Sequence, residues 1–173
     1  METAKKHLII IGFMGTGKTT AGQQLAAQIN LPWVDTDQQI EQKWGFSVAE
    51  YFQRYGEASF REQETDVLQQ LLSGPPSLIT TGGGIVLKPE NRAMMKEQGW
   101  VIHLYATPEE IIRRLSANRD RPLLQGDIRQ KVRQLFRERD GKYDFADCTI
   151  NTTSCSPDDV VEKILSFWQR RQV

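Results

Sequence analysis

The 173-residue chain is short of several things, and each shortage excludes a class of protein. Cysteine is limited to Cys148 and Cys155, a short polar segment apart. Two thiols make no disulfide framework, so the fold must stand on its own core, and a reducing, cytoplasmic setting is expected. Histidine occurs twice, as His7 and His103, each within an apolar run and without a metal-type cluster around it. Both read as strand residues and not as ligands. No apolar run approaches the length of a membrane span. The opening "METAKKHLIII" is charged and then briefly apolar before a glycine loop, which fits a strand better than a signal peptide. Net charge is absent too, with 22 basic against 22 acidic residues. A broad surface for nucleic acid or acidic membrane is therefore not expected, although a local basic pocket is compatible. Internal repeats and low-complexity linkers are missing. With 39% hydrophobic and 25% charged residues, 1–173 reads as one soluble globular domain with a sizeable core.

What is present alternates. Apolar runs at Leu8–Ile11, Trp33–Asp35, Leu78–Thr81, Val101–Tyr105 and Cys148–Asn151 have the look of buried parallel strands. Helical patterns lie between them. Lys18–Ile29 carries Ala21, Leu25 and Ile29 on one stripe, and Phe60–Leu72 carries Phe60, Val67, Leu68, Leu71 and Leu72. Ser156 and Pro157 supply the N-cap and first position of the last helix. Strands alternating with helices imply a parallel sheet covered on both faces, with ligands beyond the carboxyl ends of the strands.

"GFMGTGKT" gives that edge its strongest signal. Gly12, four residues, then Gly17, Lys18 and Thr19 follow a strand and open a helix. That is the context a phosphate loop requires. Its curled backbone points N–H groups at phosphate oxygens, helped by the positive helix end. Gly15, Thr16, Gly17 and Thr20 line the same turn, Lys18 can reach the β- and γ-phosphates of ATP, and Thr19 can offer its hydroxyl to Mg²⁺.

"WVDTD" ends the second strand with two carboxylates, which point to the same side of an extended chain. The third strand ends "SLITT" with no acid to complete a metal site. Asp35 is therefore the candidate for Mg²⁺, directly or through water, and Asp37 the candidate to face an acceptor hydroxyl. Helix capping by one of them is equally open, since a helix follows from Gln38. "GEASFRE" places Arg61 on a helix, where a guanidinium could grip a carboxylate bidentately. "TTGGGIV" sets Gly82, Gly83 and Gly84 at a strand end, where something must approach the backbone closely. Asp37, Arg61 and this run suit a small hydroxylated acid.

The segments "GFMGTGKTT", "VDTD", "GEASFRE", "TTGGGIV" and "RPLL" have the order and spacing of shikimate kinases, and the chain resembles that family over nearly its whole length. The resemblance implies a three-layer α/β phosphate-loop kinase fold with a five-stranded parallel sheet. It implies transfer of the ATP γ-phosphate to the 3-hydroxyl of shikimate, a step toward chorismate and the aromatic amino acids. By the same resemblance, Asp37, Arg61 and Gly82–Gly84 contact shikimate, within an acceptor-binding region at about 37–65. The polar segment at about 116–127 is a mobile lid whose Arg121 closes over the phosphates as a catalytic group. Arg114 corresponds to the residue stacked on adenine. Where many members carry an arginine after the lid for the substrate carboxylate, "KYDF" places Asp144, so Arg139, one helical turn earlier, is the candidate replacement. The family habit is a monomer. A related small-molecule kinase, such as one for gluconate, and a nucleotide-binding module without turnover stay open as alternatives.

Overall fold

The structure, a computed structural model, describes residues 5–117 and 127–172. Five parallel strands are built in the order β2-β3-β1-β4-β5. They are β1 (His7–Gly12), β2 (Trp33–Asp35), β3 (Leu78–Thr80), β4 (Gly99–Tyr105) and β5 (Cys148–Asn151). The expected strands all appear, with β4 longer by two residues at its start.

Alternation along β1 decides how the two faces are filled. Successive side chains of a strand point to opposite sides. Leu8 and Ile10 join a core formed with α1 (Lys18–Ile29) and α7 (Pro157–Gln169). Ile9 and Ile11 join a second core with α3 (Val48–Ser73), a 3₁₀ turn at Ile85–Leu87 and α4 (Pro89–Gln98). All four side chains are fully buried, each worth about 1.5–3 kcal/mol of transfer free energy. A helix–sheet–helix sandwich follows. The N-cap and first position of α7 are Ser156 and Pro157, as read from sequence, and Asp159 completes a capping box.

Two satellite cores position the functional ends. Phe13 packs on Ile111 and Leu115 of α5 (Pro108–Ala117) and on Val132 of α6 (Ile128–Glu138). Ile40 of α2 (Thr36–Trp44) packs on Tyr51, Phe60 and Val67 of α3. The helix expected over Phe60–Leu72 begins twelve residues earlier, at Val48, and kinks at Gly56 (φ 79°, ψ 172°). Among the described residues, no helix is long and apolar enough to cross a membrane. The proposed lid at 116–127 lies almost wholly outside the described residues, and Arg121 lies outside them.

Candidate active site

β1 ends at Gly12 and the chain curls into α1. Gly15 (φ 79°) and Gly17 (φ 91°) take left-handed backbone that other residues rarely adopt. Thr16 is buried and closes the turn by donating its hydroxyl to the Phe13 carbonyl at 2.8 Å. Lys18 Nζ donates to the same carbonyl at 2.8 Å, which draws the ammonium back over the loop. Thr19 and Thr20 are exposed on the first turn of α1. A cleft of about 370 Å³ opens beside the loop, walled by Gly15, Thr20, Arg114, Thr152 and Val160.

Arg114 is bolted in place along its edge. Its Nε donates to Glu110 at 2.7 Å, Nη1 to the Gly15 carbonyl at 3.0 Å, and Nη2 to the Thr152 carbonyl at 2.7 Å. Hydrogen bonds from Arg113 and Arg114 hold the Glu110 carboxyl down to about 2, so it stays charged for both. With its edge engaged, the guanidinium presents only its flat faces, which suit stacking on a planar base.

The acceptor side is built around the three glycines, and space is the reason for them. A Cβ on Gly82 would lie 2.7 Å from Asp37 Oδ1 and 3.0 Å from Glu64 Oε1. One on Gly83 would lie 2.8 Å from Arg139 Nη1, and one on Gly84 would overlap the Arg61 guanidinium. The protein's own charged side chains come close to this backbone. The Gly82 N–H donates to Thr36 Oγ1 at 3.1 Å, so it is already engaged.

Those side chains lie along the one glycine run and are left incompletely bonded. Arg61 Nη1 pairs with Glu64 Oε2 at 2.6 Å, while Arg61 Nε and Glu64 Oε1 are shielded from solvent without a partner. Glu64 is 1% exposed, and burial pushes its carboxyl up. Arg139 is buried at the end of α6, with Nε and Nη1 unpartnered and its guanidinium 5.0 Å from the Phe13 ring. Asp144 is exposed, and Arg139 is the arginine that reaches Gly83. Behind the run, Tyr143 donates its hydroxyl to the Gly83 carbonyl at 2.8 Å and stacks on His103 at 4.5 Å. Glu64 was not singled out from sequence. Its place three residues after Arg61, on the same helical face, was the available signal.

Asp37 Oδ1 is likewise shielded and unpartnered. Burial, then the nearby Glu64 and Asp35 carboxylates, push its carboxyl up to about 7, against the pull of Lys18. Asp35 is differently employed. Its Oδ1 caps α2 by accepting from the N–H groups of Asp37 and Gln38 at 3.0 and 3.1 Å. Its Oδ2 accepts from Thr80 at 2.6 Å. Three of its four lone-pair directions are used, which leaves one. The two halves of the site abut, because the position of a Gly83 Cβ is 3.3 Å from the Gly12 carbonyl oxygen.

The shikimate kinase family model matches residues 14–169. A shikimate kinase of Pelotomaculum thermopropionicum is 44% identical over 163 residues, covering 94% of this chain and 95% of that protein. One of Enterococcus faecalis is 44% identical, with coverage of 92% and 96%. Among solved structures, a shikimate kinase from Acinetobacter baumannii in complex with shikimate superposes with a TM-score of 0.89 at 36% identity. That match covers 99% of this chain and 97% of the other. Agreement this long, in sequence and in backbone alike, makes the chain a member of the shikimate kinase family.

Proposed function

We propose that this protein transfers the γ-phosphate of ATP to the 3-hydroxyl of shikimate, with the residues around Gly82–Gly84 as the acceptor site. The observation that carries the site is a set of buried polar atoms without partners, on Arg61, Arg139, Asp37 and Glu64, gathered against one glycine run, although Arg61 and Glu64 also pair with each other. Unpartnered buried charges are costly in an empty protein. A small acid with several hydroxyls supplies the missing partners: a carboxylate for Arg61 and Arg139, and hydroxyl donors for Asp37 and Glu64. Membership of the family favours shikimate over gluconate-type acceptors, and the arrangement gives an acceptor site that a pure nucleotide binder has no use for.

The nucleotide belongs in the cleft beside the loop, its adenine against the face of Arg114 and its phosphates at the N–H groups of Gly15, Gly17 and Lys18. Among the described residues no group of three or more metal-type side chains exists. That fits Mg²⁺ arriving on the phosphates, with the exposed Thr19 hydroxyl as its protein ligand and Asp35 reaching it only through water. The cation, when bound, neutralises charge on the phosphates. Asp37 orients the acceptor hydroxyl and takes its proton, for which a group poised near neutrality is well suited. Lys18, with Arg121 of the lid segment, stabilises charge on the transferring group.

The test is ADP release with and without shikimate, run against a panel of other hydroxy acids. Shikimate-dependent release is expected. Faster release with gluconate, or none with any acceptor, overturns the reading.

A further inference from the structure

Trp33, Thr80 and Asp35 form a chain of hydrogen bonds of which the reaction outlined above uses only the Asp35 end, through water toward the cation. Asp35 and Thr80 sit side by side in the register of β2 and β3, and Trp33 is two residues earlier on the same face. The Trp33 indole Nε1–H donates to Thr80 Oγ1 at 3.0 Å. The Thr80 hydroxyl donates to Asp35 Oδ2 at 2.6 Å, and Asp35 Oδ1 accepts from the first turn of α2. Thr80 is fully buried. Across α1 a place is kept for this chain. A Cβ on Gly22 would lie 2.7 Å from Thr80 Cγ2 and 2.8 Å from Trp33 Nε1. Glycine inside a helix costs about 1 kcal/mol relative to alanine, so the gap is maintained against propensity.

Capping α2 needs no such depth. A solvated aspartate at the N-cap would serve. The buried chain adds a fixed carboxylate plane. Asp35 can accept from Asp37 and Gln38 in one orientation only, because its other oxygen is tied to Thr80. The turn so held carries Asp37, whose Oδ1 must stay against Gly82, and Thr36, whose hydroxyl accepts from the Gly82 N–H. A catalytic group displaced by about 1 Å can lose on the order of 10²-fold in rate.

We propose that Trp33, Thr80 and Asp35 are a positioning relay for Asp37, in which the Thr80 hydroxyl sets the orientation of Asp35 and thereby the first turn of α2. The proposal rests on the reading of Asp37 as the group facing the acceptor hydroxyl.

Thr80→Val keeps the shape and removes the hydroxyl. With shikimate and ATP, kcat is expected to fall about tenfold or more, with KM for ATP within about twofold of the parent. Thr80→Ser should recover kcat to within about threefold, and Trp33→Phe should show an intermediate loss. The Mg²⁺ concentration at half-maximal rate should not move. A Thr80→Val kcat within about twofold of the parent overturns the relay. So does a loss that Thr80→Ser fails to restore, which would mark a packing role. A raised Mg²⁺ requirement with full turnover at high Mg²⁺ also overturns it, since Thr80 would then support only the water-mediated contact of Asp35 with the cation and not the placement of Asp37. If Thr80→Val shows no nucleotide-induced thermal shift, Trp33→Phe carries the same criteria. Asp37→Asn separates the two ideas. If it abolishes turnover while Thr80→Val does not, the relay alone fails; if it retains turnover, the role of Asp37 fails first.

Discussion

Gly83 lies where a side chain and a guanidinium compete for one volume. Adding only a methyl group there sets it 2.8 Å from Arg139 Nη1, and the Gly12 carbonyl at 3.3 Å closes the other side. Arg139 must therefore move. In Gly83→Ala, KM for shikimate is expected to rise about tenfold or more, with KM for ATP little changed, as steady-state kinetics would register. A variant with the parent KM would show that Arg139 does not bind the acceptor. Asp37 gives a second prediction, with a sign. Burial and neighbouring carboxylates hold its carboxyl up to about 7. Below that pH the free enzyme carries the proton, and a protonated carboxyl cannot take one from a hydroxyl. The ratio kcat/KM for shikimate should thus fall as pH falls through about 7. Glu64→Gln removes a negative charge that raises the Asp37 value, so the acid limb should move to lower pH. A limb that stays in place would dissociate it from Asp37. Asp37→Asn should keep nucleotide binding and lose about 10²–10⁴-fold in turnover.

Elements carry these residues, and their legibility in the sequence followed how local their causes were. A continuous aliphatic run marks β1, and an apolar run broken by His103 marks β4, because strands covered on both faces read as apolar throughout, and that signal needs no tertiary knowledge. The start of α7 was legible for the same reason, since Ser156, Pro157 and Asp159 make a self-contained cap. The first half of α3 was not. Its Tyr51 and Phe52 pack on Trp44, Phe46 and Phe60, so what holds that half is an aromatic cluster between two helices, not a stripe within one. The glycine run could be read as a close approach, while the approaching atoms could not, because Asp37, Glu64, Arg139 and Arg61 come from three other helices. Glu64 illustrates the limit. An Arg–Glu pair three apart on a helix is usually solvated, and only the fold reveals that this one is 1% exposed. The cap of α7 has its own test. Its first turns wall the nucleotide cleft through Pro157 and Val160. Ser156→Ala should cost about 1 kcal/mol, or roughly 2–4 °C in melting temperature for a chain of this size. Calorimetry showing no change would mean that the Asp159 side of the box suffices.

At the scale of the whole molecule, two half-sites share one rim of the sheet. The loop after β1 supplies Lys18, and the run after β3 meets Arg61 and Arg139. They touch at Gly83 and Gly12, with Arg139 lying over the Phe13 ring of the loop. Each half should therefore stabilise the fold separately while sharing one seam. A ligand at one hundred times its dissociation constant adds about 2.7 kcal/mol, which for a domain of this size corresponds to roughly 5–11 °C in melting temperature. Lys18→Met should lose most of the shift produced by nucleotide and keep that produced by shikimate. Arg61→Ala should do the reverse. Arg139→Ala, at the seam, should lose the shikimate shift and also any excess that the two ligands show together over their separate sums. Thermal melts of the three variants, with each ligand and with both, distinguish this from a single undivided cavity. In that case every variant would weaken both shifts equally, and the separation of acceptor and nucleotide halves by Gly83 would have to be abandoned.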